Sequence, residues 1–289
     1  MVNNKAVRRI EWIKRFALEK PVVFSILVFL TAGLVTEIPL SGILLPLAGS
    51  SIAARFLEGI ILQVGVGLIL VDGIVKLGLR TQAGFTLPRQ WRALWLVWPL
   101  AGIAVLNLSP LLDGSLTIDT SRPGLIALYI CLVLSIGFLE ETLGRGLILS
   151  VILRKWGTTR QGIYRAVFVS GAIFGIFHIF NLCVGRLPFL ANMTQIIYSF
   201  FFGVIFAACL LRNNAIWPVI IMHAAIDFGG DMLRDISIGD VAQTAAVTNS
   251  TFGEAAISIL ITLPLLLYGI FILRKVTSLT DAGNMGEDI

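Results

Sequence analysis

The 289-residue chain contains only two histidines, His178 and His223, and each lies inside an apolar stretch long enough to cross a bilayer. A third such stretch carries Glu140, Glu141 and Arg145, and Asp227 follows His223 by one helical turn. Ionisable side chains are costly in hydrocarbon, so those that persist there face one another or a wet cavity. Carboxylates can take a proton from water, and an imidazole can hold a water or bind a metal through a ring nitrogen. The pattern points to a catalytic site built from three spans inside a membrane.

Helical spacing divides the roles. Glu141 and Arg145 are four apart and share a face, with the acid on the favourable N-terminal side, so an ion pair lets Arg145 be buried. Glu140 is rotated about 100° away and lacks that partner, which leaves it suited to act as a general base. Phe174, His178 and Asn181 fall on one face by i, i+4 and i+3 spacing. Gly171 and Gly175 form a small-xxx-small step that permits close helix approach. His223 and Asp227 are again i, i+4, and a carboxylate beside an imidazole orients the ring and favours one tautomer. That pair can stabilise a developing oxyanion if His223 presents an N–H toward it. Each histidine taken alone also fits a plain interhelix contact.

The elements that must position these residues follow from composition. The chain is 57% hydrophobic and 13% charged, with a mean hydropathy of +0.91, whereas a soluble domain carries about 25% charged residues. It lacks the polar surface to coat a water-soluble particle. Its apolar runs are continuous, unlike the short alternating segments of a β-barrel. The expected fold is therefore all-α: a polytopic transmembrane bundle of about eight spans. These run over about 21–40, 56–79, 91–108, 124–153, 165–183, 193–211, 214–230 and 255–273. Segment 1–20 is a basic cytoplasmic lead-in, 21–275 the transmembrane domain with its core at 124–230, and 276–289 a disordered tail. The first span has the look of a retained signal-anchor.

With the N-terminus inside, the basic residues gather on the cytoplasmic loops. Of the 22 Lys and Arg, only Arg55, Arg122, Arg186 and Arg234 fall outside, and Arg145 lies within a span. This split places both termini in the cytoplasm and accounts for the net charge of +5 without a nucleic-acid partner. Trp91, Trp95 and Trp98 fit an interfacial belt. The loop at about 231–254 is external, either a lid or a connector. Cys131, Cys183 and Cys209 have no CxxC spacing and read as small buried thiols.

Three ordered motifs resemble the CPBP family, also called Abi, which contains the type II CAAX prenyl endopeptidases and bacteriocin-processing or immunity proteins. They are Glu140-Glu141-x-x-x-Arg145, Phe174-x-x-x-His178 and His223-x-x-x-Asp227, the last with its Trp217-Pro218 lead-in. The likeness covers roughly 124–230. It implies an intramembrane endopeptidase that hydrolyses a peptide bond in a membrane-associated protein or peptide, with a lipidated substrate among the candidates. By that resemblance Glu140 and His178 hold and activate water, and His223 and Asp227 stabilise the oxyanion. Glu141, Arg145 and Asn181 support the site. Asn is commoner than Asp at the last motif position, so Asp227 instead serves as an orienting partner for His223 if it is not protonated.

A metal-free glutamate mechanism is the favoured reading. The alternative is a zinc site on Glu140, His178 and His223 with an open position, although no HExxH is present. The implied location is the cell membrane, multi-pass, or the endoplasmic reticulum membrane in a eukaryote. Two rival functions share the residues: a non-catalytic scaffold or immunity protein, and a transporter with Glu140 in a proton relay.

Overall fold

The structure, a computed structural model, describes residues 4–238 and 251–276. Helix α1, Asn4–Glu19, is followed by α2, Pro21–Thr36. The two meet at Lys20 with a bend of 118°. Pro21 causes the break, because the residue before a proline is pushed out of the helical region, and Lys20 takes φ −129°. The basic lead-in is thus a helix set across the first span. A short helix α3, Ser41–Ala48, leads to α4, Ser51–Lys76, which is capped by Ser50 accepting from the Ala53 N–H.

Helix α5, Trp98–Asn107, is followed by α6, Pro123–Trp156, a 34-residue rod with proline in its first turn. Helix α7, Arg160–Cys183, starts at a Thr159 cap and is interrupted at His178. Then come α8, Phe189–Asn213, α9, Trp217–Phe228, and α10, Phe252–Leu273. A Thr251–Glu254 capping box opens α10, each side chain satisfying the other's backbone N–H.

Among the described residues five helices are long and apolar enough to cross a membrane, or six if α1 and α2 are taken as one bent span. The chain is an all-α, multi-pass membrane protein. The expected spans at 91–108 and 214–230 are shorter than a full crossing. The first is divided between 3₁₀ turns at Pro88–Gln90 and Leu94–Val97 and the ten-residue α5. The second is the twelve-residue α9. Proline at the second position of each helix sets where it starts, since its missing N–H is tolerated only in a first turn. The 239–250 part of the expected external loop and the 277–289 part of the expected tail lie outside the described residues.

Leu68, Ile69, Ile221, Leu260 and Leu267 point outward from their helices, as a lipid-facing surface requires. Cys131 and Cys183 are also exposed, and only Cys209 is buried. Two of the expected buried thiols therefore face outward, a position open to a small apolar side chain where the surroundings are hydrocarbon. Helix α8 is the most buried span and packs on α7 and α10, while α6 packs on α4 and α9.

Two glycines govern the approaches that matter for the site. A Cβ on Gly175 would stand 2.7 Å from the Ile196 carbonyl oxygen, and one on Gly137 would stand 2.7 Å from that of Ile220. The first contact locks α7 to α8 beside His178. The second locks α6 to α9 one turn before Glu141 and His223. At one end of the bundle Thr117–Ile118 (β1) pairs antiparallel with Ser237–Ile238 (β2). There the Tyr129 hydroxyl donates to the Phe228 carbonyl at 2.5 Å, tying the start of α6 to the end of α9.

Candidate active site

Glu141 is fully buried on α6. Its Oε1 accepts from Arg145 Nη1 at 2.9 Å and from His223 Nδ1 at 2.7 Å. The expected i, i+4 ion pair is present, but it also receives a ring from α9. The helix is π-type over Thr142–Leu149, a widened geometry that recurs at functional sites. Arg145, 2% exposed, lies with its guanidinium carbon 4.1 Å from the Phe174 ring centre and 5.1 Å from that of Phe206. A buried cation held between two aromatic faces keeps favourable electrostatic contact.

A carboxylate accepts only, so His223 carries a proton on Nδ1. Its Nε2 lies 3.4 Å from Asp227 Oδ2 and 3.6 Å from Glu140 Oε2. The side chains of Glu140 and Asp227 are 35% and 29% exposed, against 0% for Glu141. One imidazole thus stands among three carboxylates, one inner and two on the open side. Phe206 stacks on its ring with centres 5.3 Å apart and planes at 20°.

His178 is held differently. It sits at the interruption of α7, half-buried, with its backbone N–H directed to the Gly175 carbonyl at 3.1 Å. The Phe174 carbonyl, the partner an unbroken helix would use, is instead 3.1 Å from His178 Nδ1. A carbonyl can only accept, so Nδ1 bears the proton and Nε2 of the neutral ring is left as an acceptor. The Phe174 ring lies between the histidines, 5.3 Å from His178 and 6.3 Å from His223, edge-on to both. His178 also lies within electrostatic range of His223 and Asp227.

The structure therefore gathers Glu140, Glu141, Arg145, His223 and Asp227 by direct contact, with His178 adjoining across Phe174. Among the described residues no hydrogen bond or ion pair joins Glu140 to His178. Among the described residues no hydrogen bond joins Asn181 to the cluster; its Nδ2 donates to Gln195 Oε1 at 2.8 Å. Phe206 was not singled out by sequence, where one phenylalanine among many on an apolar span carries no distinguishing signal. Asn192 was also missed, although a polar amide early in an apolar helix was a visible cue. It is fully buried, and its Nδ2 donates to the His178 carbonyl at 2.6 Å.

Among the described residues no three His, Cys, Asp or Glu side chains are grouped to hold a metal ion. Both His223 nitrogens face carboxylates, and His178 stands apart from them. The Glu140–His178–His223 set does not fit one zinc ion in this arrangement.

Residues 122–229 match the family described as Type II CAAX prenyl endopeptidase Rce1-like. The matched segment spans the start of α6 to the end of α9 and contains every residue of the cluster. No curated protein and no solved structure matches the chain.

Proposed function

From the match of residues 122–229 to the Type II CAAX prenyl endopeptidase Rce1-like family, we propose that the chain is an intramembrane endopeptidase. It hydrolyses a peptide bond in a membrane-associated protein or peptide with water activated by Glu140 and His178. The observation that carries this reading is the convergence of Glu140, Glu141 and Asp227 on His223 inside the matched segment, with the acceptor-bearing His178 ring adjoining.

In this mechanism a water donates one hydrogen to Glu140 and the other to His178 Nε2. The Nδ1–H bond to Phe174 reserves that nitrogen as an acceptor. The water oxygen attacks the peptide carbonyl as Glu140 takes its proton, and Glu140 then returns the proton to the leaving amine. The oxyanion faces His223. With one N–H already given to Glu141, His223 offers a second only as the imidazolium, whose charge the surrounding carboxylates balance. Asp227 at 3.4 Å orients that nitrogen. Arg145, clamped by Phe174 and Phe206, fixes Glu141 and through it the His223 ring.

The substrate class is protein or peptide, with prenylated CaaX proteins and bacterial precursor peptides as the two candidates. The setting is the cell membrane, or the endoplasmic reticulum membrane in a eukaryote. The test compares peptide termini in membranes holding the active chain and the Glu140→Ala or His178→Ala chain. New termini that depend on both residues and survive a zinc chelator are the expected result. Equal termini in all three membranes would overturn the protease reading, and loss with chelator alone would overturn the metal-free mechanism.

A further inference from the structure

The proton position on His178 is set first by the Phe174 carbonyl, which its Nδ1 meets at 3.1 Å. Phe174 C=O has two competing donors. One is the backbone N–H of His178, which an uninterrupted helix would supply, and the other is the His178 ring Nδ1, which holds it at 3.1 Å. The ring keeps this partner only while the helix stays interrupted at His178, where ψ is −7° and the backbone N–H turns to Gly175. If α7 closed into a continuous helix, the backbone would reclaim the carbonyl. Nδ1 would then lose its acceptor and the ring would be free to carry its proton on Nε2.

The residues at the interruption do not explain it. There is no proline or glycine at 177–179, and the flanking segments Arg160–Phe177 and Ile179–Cys183 are both helical. What holds it comes from α8. Asn192 is fully buried, and its Nδ2 donates to the His178 carbonyl at 2.6 Å, beside the Asn181 N–H at 3.0 Å. The Asn192 Oδ1 has no hydrogen-bond partner among the described residues. Among the described residues the amide's side-chain bonding goes to the backbone of His178 alone. A buried amide with an unmet acceptor is a cost that a leucine at this position would avoid.

We infer that Asn192 is a positioning residue: by clamping the His178 carbonyl it keeps α7 interrupted, and so keeps the His178 ring in the Nδ1–H form with Nε2 as an acceptor. The functional meaning rests on the protease reading, but the structural claim does not.

The presence of only two histidines makes the test direct. The full chain is prepared with ¹⁵N-labelled histidine in lipid nanodiscs, and ring-nitrogen signals are assigned with His178→Ala. In the wild type, His178 should show a protonated Nδ1 and an unprotonated Nε2. In Asn192→Leu, which matches the asparagine in size and suits an apolar helix, the two separated His178 signals should move toward a common average while those of His223 stay in place. Cleavage should show kcat lower by roughly 10-fold or more with KM little changed. Thr194→Ala is the control, because among the described residues the Thr194 hydroxyl bonds the Leu190 carbonyl of its own helix alone; it should leave the His178 signals unmoved. Should Asn192→Leu fail to fold, Asn192→Ala and the wild-type spectrum still decide. A wild-type His178 protonated on Nε2, or an Asn192 variant with His178 still fixed on Nδ1, would overturn the inference. If the signals move as expected but no preparation cleaves any peptide, the clamp stands and the protease reading falls.

Discussion

The two imidazoles of this protein occupy contrasting surroundings. His223 is held by side chains: a buried glutamate at 2.7 Å on one nitrogen, two further carboxylates at 3.4 and 3.6 Å on the other, and a stacked phenylalanine. His178 is held by backbone: a carbonyl of its own helix on Nδ1 and an amide clamp on its carbonyl oxygen. The first ring is built to carry charge, since formal charges balance it. The second is built to stay neutral with a defined tautomer, since dipoles fix the proton without supplying a counter-charge. In the proposed hydrolysis one ring would bear developing charge and the other would hold a water.

Breaking the charged side of this contrast should have the largest effect. Glu141→Ala leaves Arg145 buried without its carboxylate and His223 without its Nδ1 acceptor. Breaking a buried pair in this way costs about 3–5 kcal/mol, which thermal unfolding in detergent should register as a marked loss of stability. Breaking the neutral side should spare the fold and stop the chemistry. His178→Ala should lower cleavage by roughly 100-fold or more while the unfolding midpoint stays near wild type. A large stability loss there would mean that the ring is a packing element.

Asp227 sharpens the comparison, because it tests how much charge His223 requires. Asp227→Asn keeps the shape and removes one carboxylate, so cleavage should stay within about tenfold of wild type, while Asp227→Ala should fall further. Equal losses in both would show that the negative charge itself is what Asp227 supplies. The smallest effect belongs to an exposed ion pair remote from either ring. Arg186 meets Glu37 at 2.7 Å with 56% and 32% of the side chains exposed, and Glu37→Gln should change stability by about 0–1 kcal/mol. A loss comparable with that of Glu141→Ala would undo the distinction between buried and exposed pairs.

The reach of sequence reasoning follows the range of the interactions. The Glu141–Arg145 pair was readable because both partners lie on one helix at a fixed spacing. Gly171 and Gly175 marked a close helix approach without naming its partner, and they face Phe200 and Ile196 of α8. The Glu141–His223 bond links residues 82 positions apart, and no local period encodes it; motif order alone suggested that the spans meet. The interruption at His178 left no breaker residue to read, because its clamp is a side chain on another helix. Asn181, placed beside His178 by helical spacing, has Gln195 of α8 as its side-chain partner, which local spacing could not name. Hydropathy found the apolar segments, but at 91–108 and 214–230 it could not separate short helices from full crossings, because composition does not reveal where a first-turn proline begins the helix.

On the proposed mechanism Glu140, half-buried beside His223, takes the proton from the attacking water. Glu140→Gln keeps the side chain's size and its place near His223 while removing the base. With the variant in proteoliposomes beside a membrane-anchored peptide that the wild-type chain cuts, cleavage should fall by roughly 100-fold or more, with the unfolding midpoint and the histidine ¹⁵N spectrum preserved. Cleavage at the wild-type rate by a folded Glu140→Gln protein would contradict the account.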